Sequence, residues 1–258
     1  MKKLFAFLCA IFILSGSFSV CASSPDVKGT SAILASLSSS QTVYSKNPDK
    51  ELPPAELTKL MTAYATYKIY GTDTVIKVAD DIKEYTNSME TNMNLKAGEE
   101  ITSASLIYGM IMGQANDAAV AVALNYGGIE EFTERMNGFA KVLGMENTVF
   151  TNPTGSYDQS QHTTAADLLK LYREFYSSKQ LYSFINQKNV TLPATNLSAE
   201  RTYWTKNHLM SRFIYLDYVY DYANAGLSSV SSNGGYCVIS SASKGTKDLV
   251  CIVLDSVY

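Results

Sequence analysis

Histidine is nearly absent from this chain: two occur in 258 residues. His162 and His208 stand far apart, without an acidic cluster or a metal-ligand spacing around them, so no metal site and no cofactor are expected. Basic clusters are lacking as well. The formal net charge is −3, whereas a nucleic-acid surface gathers Lys and Arg on one face. No repeat, low-complexity tract or internal linker divides the sequence, which argues against a string of small modules. Cysteine is sparse too, with four copies, and Cys9 and Cys21 fall within the first two dozen residues.

That opening stretch, "MKKLFAFLCAIFILSG", joins a Lys2-Lys3 start to an apolar run that suits a signal peptide and is short for a membrane span. Val20 and Ala22 are the small residues before an expected cut after Ala22, making residues 1–22 the leader. A lipid-modified N-terminus at Cys21 is the weaker alternative, because Val20 is bulky for such a site. The chain is therefore expected to be exported, with membrane contact only through the leader or that anchor. Tyrosine is abundant at 18 copies, and Tyr64, Tyr108 and Tyr126 read as packing residues.

Beyond the leader, residues 23–30 read as a linker. Ala32 to Leu37 and Thr42 to Ser45 form a hairpin candidate around a serine-rich turn. Pro53 and Pro54 precede a helix from Glu56 to Tyr70, whose apolar residues Leu57, Leu60, Met61, Tyr64, Ala65 and Ile69 share one face. Further helices are expected in "SASLIYGMIMG", in "DAAVAVALNYGG" and in "IEEFTERMNGFAKVLG", the last burying Phe132, Met136, Phe139, Ala140 and Leu143. "AADLLKLYREFYSS" and "KQLYSFINQ" complete the helical middle. Two apolar runs in "YCVISSASKGTKDLVCIVLDSV" predict a second hairpin. If that hairpin turns around Lys244, Cys237 faces Cys251 and Ser240 faces Asp248, close enough for a disulfide in an exported protein.

The stretches "VYSKNPDKELPPAELTKLMTAY", "MIMGQANDAAVAVA", "FTERMNGFAKVLGMENTVFTNPTG", "HTTAADLLKL", "TKNHL" and "YANAG", in that order, resemble the serine-type D-alanyl-D-alanine carboxypeptidases. These are low-molecular-mass penicillin-binding proteins related in fold to class A β-lactamases. The resemblance implies an α+β, β-lactamase/transpeptidase-like fold: an antiparallel sheet of N- and C-terminal strands plus a largely helical middle. It implies a single carboxypeptidase-like domain over 23–258, lacking the family's usual C-terminal β-rich domain, since Leu254 to Tyr258 is the end.

Family members acylate a serine, using S-x-x-K, S-x-N and K-T-G. Here the first element reads "ELTK", with Glu56 at the nucleophile position and Lys59 kept. The second reads "QAN", with Gln114 for serine and Asn116 kept. The third is matched to "NAG", with Asn224 for lysine, Ala225 for threonine and Gly226 kept. A carboxylate attacking an amide would have to form a mixed anhydride, which suits it poorly. Gln114 cannot relay a proton as a hydroxyl does, and Asn224 and Ala225 remove the cation and hydroxyl meant for a substrate carboxylate. A glycosidase acid at Glu56 would need a partner carboxylate about 5–9.5 Å away, and Asp117 and Asp221 lie nearest the motifs in sequence. The expectation is an exported pseudoenzyme that binds peptidoglycan stem peptide or an envelope protein without hydrolysis. The alternative is an active D-Ala-D-Ala carboxypeptidase. For Glu56 and Lys59 an ordinary ion pair worth a few tenths of a kcal/mol is expected, and for Asn116 a role in satisfying backbone groups between two helices.

Overall fold

The computed structural model describes residues 25–211 and 218–257. The leader, the cut after Ala22, Cys9 and Cys21 lie outside the described residues. β1 (Ser31–Ser36) and β2 (Thr42–Lys46) form the expected N-terminal hairpin, Ile33 opposite Ser45. β1 also pairs with the last strand, β9 (Lys247–Ser256), and a five-stranded antiparallel sheet results in the order β2-β1-β9-β8-β7. The two chain ends thus build one sheet. β8 (Gly235–Lys244) and β9 are the expected second hairpin, and β7 (Ala223–Ser231) is an added edge strand whose serine-rich sequence masks its alternation.

The predicted hairpin register is wrong, and the disulfide goes with it. The turn is the two residues Gly245-Thr246, with Lys244 opposite Lys247 and Ser240 opposite Cys251. Gly245 has φ +62°, the left-handed conformation a tight hairpin turn wants. Cys237 lies next to Ser229 of β7, beside a bulge between Tyr236 and Val238. It joins Ile239, Val250, Ile252 and Leu254 in the core. Cys251 alternates with Ile252 and so points to the other face of the sheet. Both cysteines are free. Burial raises both thiols, Cys237 to about 11.

Helices cover the inner face. α1 (Thr58–Tyr70) follows a 3₁₀ turn, Ala55–Leu57. It departs from the one-sided pattern expected of it, since every residue from Thr58 to Thr66 is buried. A helix enclosed on all sides needs its polar side chains tied back. Thr62 donates to the Pro153 carbonyl at 2.7 Å and Thr66 to the Thr62 carbonyl at 2.7 Å. Around it stand α2 (Ser103–Met112), α3 (Asn116–Tyr126), α4 (Ile129–Val142), α5 (Ala165–Ser177) and α6 (Lys179–Ile185). α4 is amphipathic as expected. Phe132, Met136 and Ala140 are buried, and Phe139 and Leu143 pack at the margin. The three tyrosines pack edge-on against phenylalanines: Tyr64 on Phe139, Tyr108 on Phe184 and Tyr126 on Phe132. Two small hairpins flank the helices, β3 (Val75–Lys77) with β4 (Glu100–Thr102), and β5 (Asn189–Leu192) with β6 (Arg201–Trp204).

Candidate functional site

The cleft lies where the start of α1, the α2–α3 junction and β7 meet. Ala55, just before Glu56, takes a left-handed φ of 48°, which an L-residue enters at a cost. Gly155 explains how the turn is held. Its backbone packs so closely on the Ala55 carbonyl that a Cβ would sit 2.1 Å from that oxygen. Asn152 braces the same loop by accepting from the Thr154 and Gly155 amides.

Lys59 lies one helical turn beyond Glu56 and is fully buried, whereas the Glu56 side chain is 30 % exposed. The ammonium contacts Glu56 Oε2 and donates to the Thr154 carbonyl at 2.6 Å. Desolvation pulls the lysine below its ordinary range, and the Glu56 charge is the largest opposing influence. The pair is therefore not the exposed surface contact the spacing suggested. Breaking a pair with a buried member strands a charge. The "NPTG" stretch supplies one of the acceptors on which that lysine depends.

Gln114 also has a left-handed φ, 56°, and its Nε2 donates to the Ser228 carbonyl on β7. Two residues on, Asn116 is 6 % exposed and donates to Glu90 Oε2 at 2.7 Å. Its partner is thus a side-chain carboxylate on the 87–91 segment and not the helix backbone. Met93 and Leu95 follow that segment and donate their amides to Asp117 at 2.8 and 2.9 Å, which makes Asp117 a clasp for the loop. Asp221 lines a separate cavity with Trp204 and Tyr220. Neither aspartate lines the cavities that Glu56 borders.

The stretch matched to the third motif lies against β8, apart from the contacts that join the first two. Asn224 holds the far part of β7, its Nδ2 donating to Ser243 at 2.6 Å while its Oδ1 accepts from Ser241 at 2.7 Å. Ala225 is wholly buried. Gly226 has φ +122°, and a Cβ there would meet the Ile239 carbonyl at 2.0 Å, so this glycine serves strand packing. The β7 residues that reach the first two motifs are Ser228 and Ser229, four and five positions beyond Asn224, or about 13–17 Å of strand. Ser229 Oγ accepts from the Glu56 backbone amide at 3.1 Å. Leu227-Ser228-Ser229 is therefore the β7 stretch that faces the first two motifs, with a buried leucine, a hydroxyl at Ser228 and a second hydroxyl at Ser229.

In acyl transfer the amide of the nucleophile residue is a natural oxyanion donor. Here Ser229 already takes it. Ser228 and Ser229 were invisible to motif matching because nothing local distinguishes them from the surrounding serines. Thr154 and Glu90 act through a carbonyl and a long-range contact.

Two cavities open on the site, of about 350 and 720 Å³, and both are bordered by Glu56. No helix of the described residues is long and apolar enough to cross a membrane.

Residues 19–257 match the D-alanyl-D-alanine carboxypeptidase family. DacF, a D-alanyl-D-alanine carboxypeptidase of Bacillus subtilis, is 29 % identical over 227 residues, which are 86 % of this chain and 56 % of DacF. The D-alanyl-D-alanine endopeptidase of Escherichia coli is 30 % identical over 240 residues, 91 % of this chain and 74 % of that protein. The chain thus spans about half to three quarters of these relatives' length. Among solved structures, a D-alanyl-D-alanine carboxypeptidase of Mycobacterium tuberculosis superposes with TM-score 0.82 at 21 % identity, over 93 % of this chain and 87 % of that one. A mutant of the Streptomyces K15 DD-transpeptidase does so at 0.80 and 23 %, over 91 % and 93 %. These last likenesses carry the fold, and the sequence match carries the descent: the chain belongs to the D-alanyl-D-alanine carboxypeptidase family.

Proposed function

We propose that this protein is an exported, non-hydrolysing member of its family that binds peptidoglycan stem peptide in the inherited cleft. The carrying observation is the Glu56 carboxylate, held against buried Lys59 at the nucleophile position. A carboxylate in that place is a poor nucleophile toward an amide, and its pairing occupies the lysine that would otherwise assist a hydroxyl. Ser229 on the Glu56 amide and the apolar Leu227 on the facing stretch of β7 point the same way. Stem peptide is the ligand class because the relatives' names specify D-alanyl-D-alanine chemistry.

Purified protein should co-sediment with insoluble peptidoglycan and release no D-alanine from a pentapeptide ending in D-Ala-D-Ala. Turnover that disappears in Glu56→Ala would establish the active-enzyme alternative. Absence of co-sedimentation would remove the stem peptide as ligand and leave an envelope protein as the partner to seek.

A further inference from the structure

Asparagine followed by glycine occurs twice in the chain, as Asn137-Gly138 and Asn233-Gly234. Asparagine in such a pair is chemically labile, because a glycine amide with no Cβ beside it approaches the side-chain carbonyl carbon unhindered. The fold treats the two pairs differently. Asn137 lies inside α4, where its Nδ2 donates to the Phe150 carbonyl at 2.8 Å and its Oδ1 accepts from the Phe150 amide at 2.9 Å. Both ends of that side-chain amide are pinned, and the Gly138 amide points along the helix axis. Asn233 stands exposed in the turn between β7 and β8, and its side chain has no hydrogen-bond partner among the described residues. The Gly234 amide has one restraint, a hydrogen bond donated to Ser231 Oγ at 2.8 Å.

We propose that Asn233 is a site of spontaneous deamidation in the folded protein, with the Ser231 hydroxyl as its brake. The Gly234 nitrogen, once hydroxide has taken its proton, attacks Asn233 Cγ. The N–Cγ bond forms, the Cγ–Nδ2 bond breaks, and ammonia leaves, taking a proton back from water. Water then opens the five-membered imide in one of two ways. Cleavage of the new N–Cγ bond leaves aspartate at position 233, and cleavage of the original peptide C–N bond leaves isoaspartate, with the chain running through the side-chain carbon.

The position gives this change a consequence at the cleft. Asn233 and Ser231 line the smaller cavity together with Glu56, Glu90 and Asp158, so either product adds a carboxylate to that wall. The hairpin tip also packs on the turn before Glu56: a Cβ on Gly234 would lie 3.3 Å from the Ala55 Cβ and 3.5 Å from the Pro53 carbonyl oxygen. Isoaspartate lengthens the backbone there by one methylene and presses on the turn whose left-handed Ala55 places Glu56. None of this depends on what the cleft binds.

Folded protein is held for weeks in mildly alkaline buffer beside the same protein unfolded in urea, and positions 137 and 233 are followed by peptide mapping with mass detection. The folded chain should gain about one dalton at 233 while 137 keeps its amide, whereas the unfolded chain should gain it at both. Ser231→Ala, in a protein whose melting curve shows it folded, should speed the reaction at 233 about fivefold. The isoaspartate fraction, identified by enzymatic methylation and separated by charge, should melt below the parent, and Asn233→Asp, with its ordinary backbone, should melt with the parent. Folded protein unchanged at 233 after the unfolded chain has converted would overturn the site. Conversion of 137 and 233 at one rate in folded protein would overturn the selection by the fold. An unchanged rate in Ser231→Ala removes the brake, and an isoaspartate fraction that melts with the parent removes the pressure on the Ala55 turn.

Discussion

Replacing Glu56 by glutamine tests how far the site depends on its ion pair. Lys59 is fully buried and has two acceptors, Glu56 and the Thr154 carbonyl. The variant keeps the shape and an amide oxygen that can still accept from Lys59, but leaves a cation whose desolvation is no longer offset by a charge in contact. Breaking a fully buried pair costs about 3–5 kcal/mol. Because the Glu56 side chain is 30 % exposed, water screens part of that loss, and about 2–3 kcal/mol is expected at pH 7. Removing both charges, in Glu56→Gln with Lys59→Met, should recover most of it.

The pH dependence has a definite sign. Desolvation depresses Lys59 below its unfolded value, so in the window between the folded and unfolded values the unfolded chain holds more protons and stability rises with pH. Losing Glu56 removes the largest influence that props the lysine up, which widens the window downward. The deficit of Glu56→Gln relative to the parent should therefore shrink as pH rises from 7 toward about 10. Urea unfolding of the parent, both single variants and the double variant at pH 7 and pH 9.5 measures this cycle. A Glu56→Gln loss below about 0.5 kcal/mol, unchanged with pH, would show that Lys59 is not sustained by the carboxylate.

Other perturbations probe the remaining parts. Prolonged incubation with a labelled penicillin should leave the intact mass unchanged, and a stoichiometric adduct lost in Glu56→Ala would contradict the non-hydrolysing reading. Glu56→Ser alone should not restore D-alanine release, because Gln114, Leu227 and Ser229 still lack the relay, the cation and the open oxyanion donor. Combining it with Gln114→Ser, Leu227→Lys, Ser228→Thr and Ser229→Gly is the set that restoration requires, and efficient turnover by the single variant would refute the roles given to the other four. Thiol titration of unfolded, unreduced protein should count both Cys237 and Cys251, whereas folded protein should react slowly at Cys237, whose thiol is raised to about 11. Glu99→Gln should destabilise by about 3–5 kcal/mol, since this buried carboxylate pairs with Arg201 at 2.8 Å and accepts from Thr195 at 2.8 Å; a loss confined to a few tenths would make that clasp dispensable.

Short-range features were legible in the sequence and long-range ones were not. The helices over 103–112, 116–126 and 129–142 follow from apolar periodicity and flanking glycines, which are local. Glu56 and Lys59 were placed correctly because three residues at the start of a helix have one geometry. Burial of Lys59 depends on the loop at 152–155, almost a hundred residues away, and no local pattern shows it. The disulfide failed on register alone. Moving the turn from Lys244 to Gly245-Thr246 shifts the pairing by an odd number of residues, and in a strand that sends one cysteine to each face. "NAG" resembles the motif through its glycine, but Gly226 answers to the Ile239 carbonyl on the neighbouring strand, and which residue faces the cleft is settled by pairing with β8.

The substitutions in the cleft fit one another. Lys59 is set in a buried position with the Thr154 carbonyl as one acceptor, and it needs a counter-charge there; Glu56 provides one within a helical turn. A carboxylate at that turn does not use its own backbone amide, and Ser229 Oγ satisfies it across the cleft. Gln114, on the α2–α3 junction, spans to the neighbouring Ser228 carbonyl on an edge strand, which would otherwise want a partner. Three segments far apart in sequence are thus joined by contacts that a serine, a serine and a glycine at 56, 114 and 229 would not make. Each single reversion consequently leaves a group unmatched: the Lys59 charge, the Ser228 carbonyl or the Glu56 amide. Stability, read by thermal unfolding, should therefore fall with every single reversion and partly return when 56 and 229 are changed together with a penicillin bound, since an incoming oxygen then takes the place of the Ser229 hydroxyl on the backbone amide of residue 56.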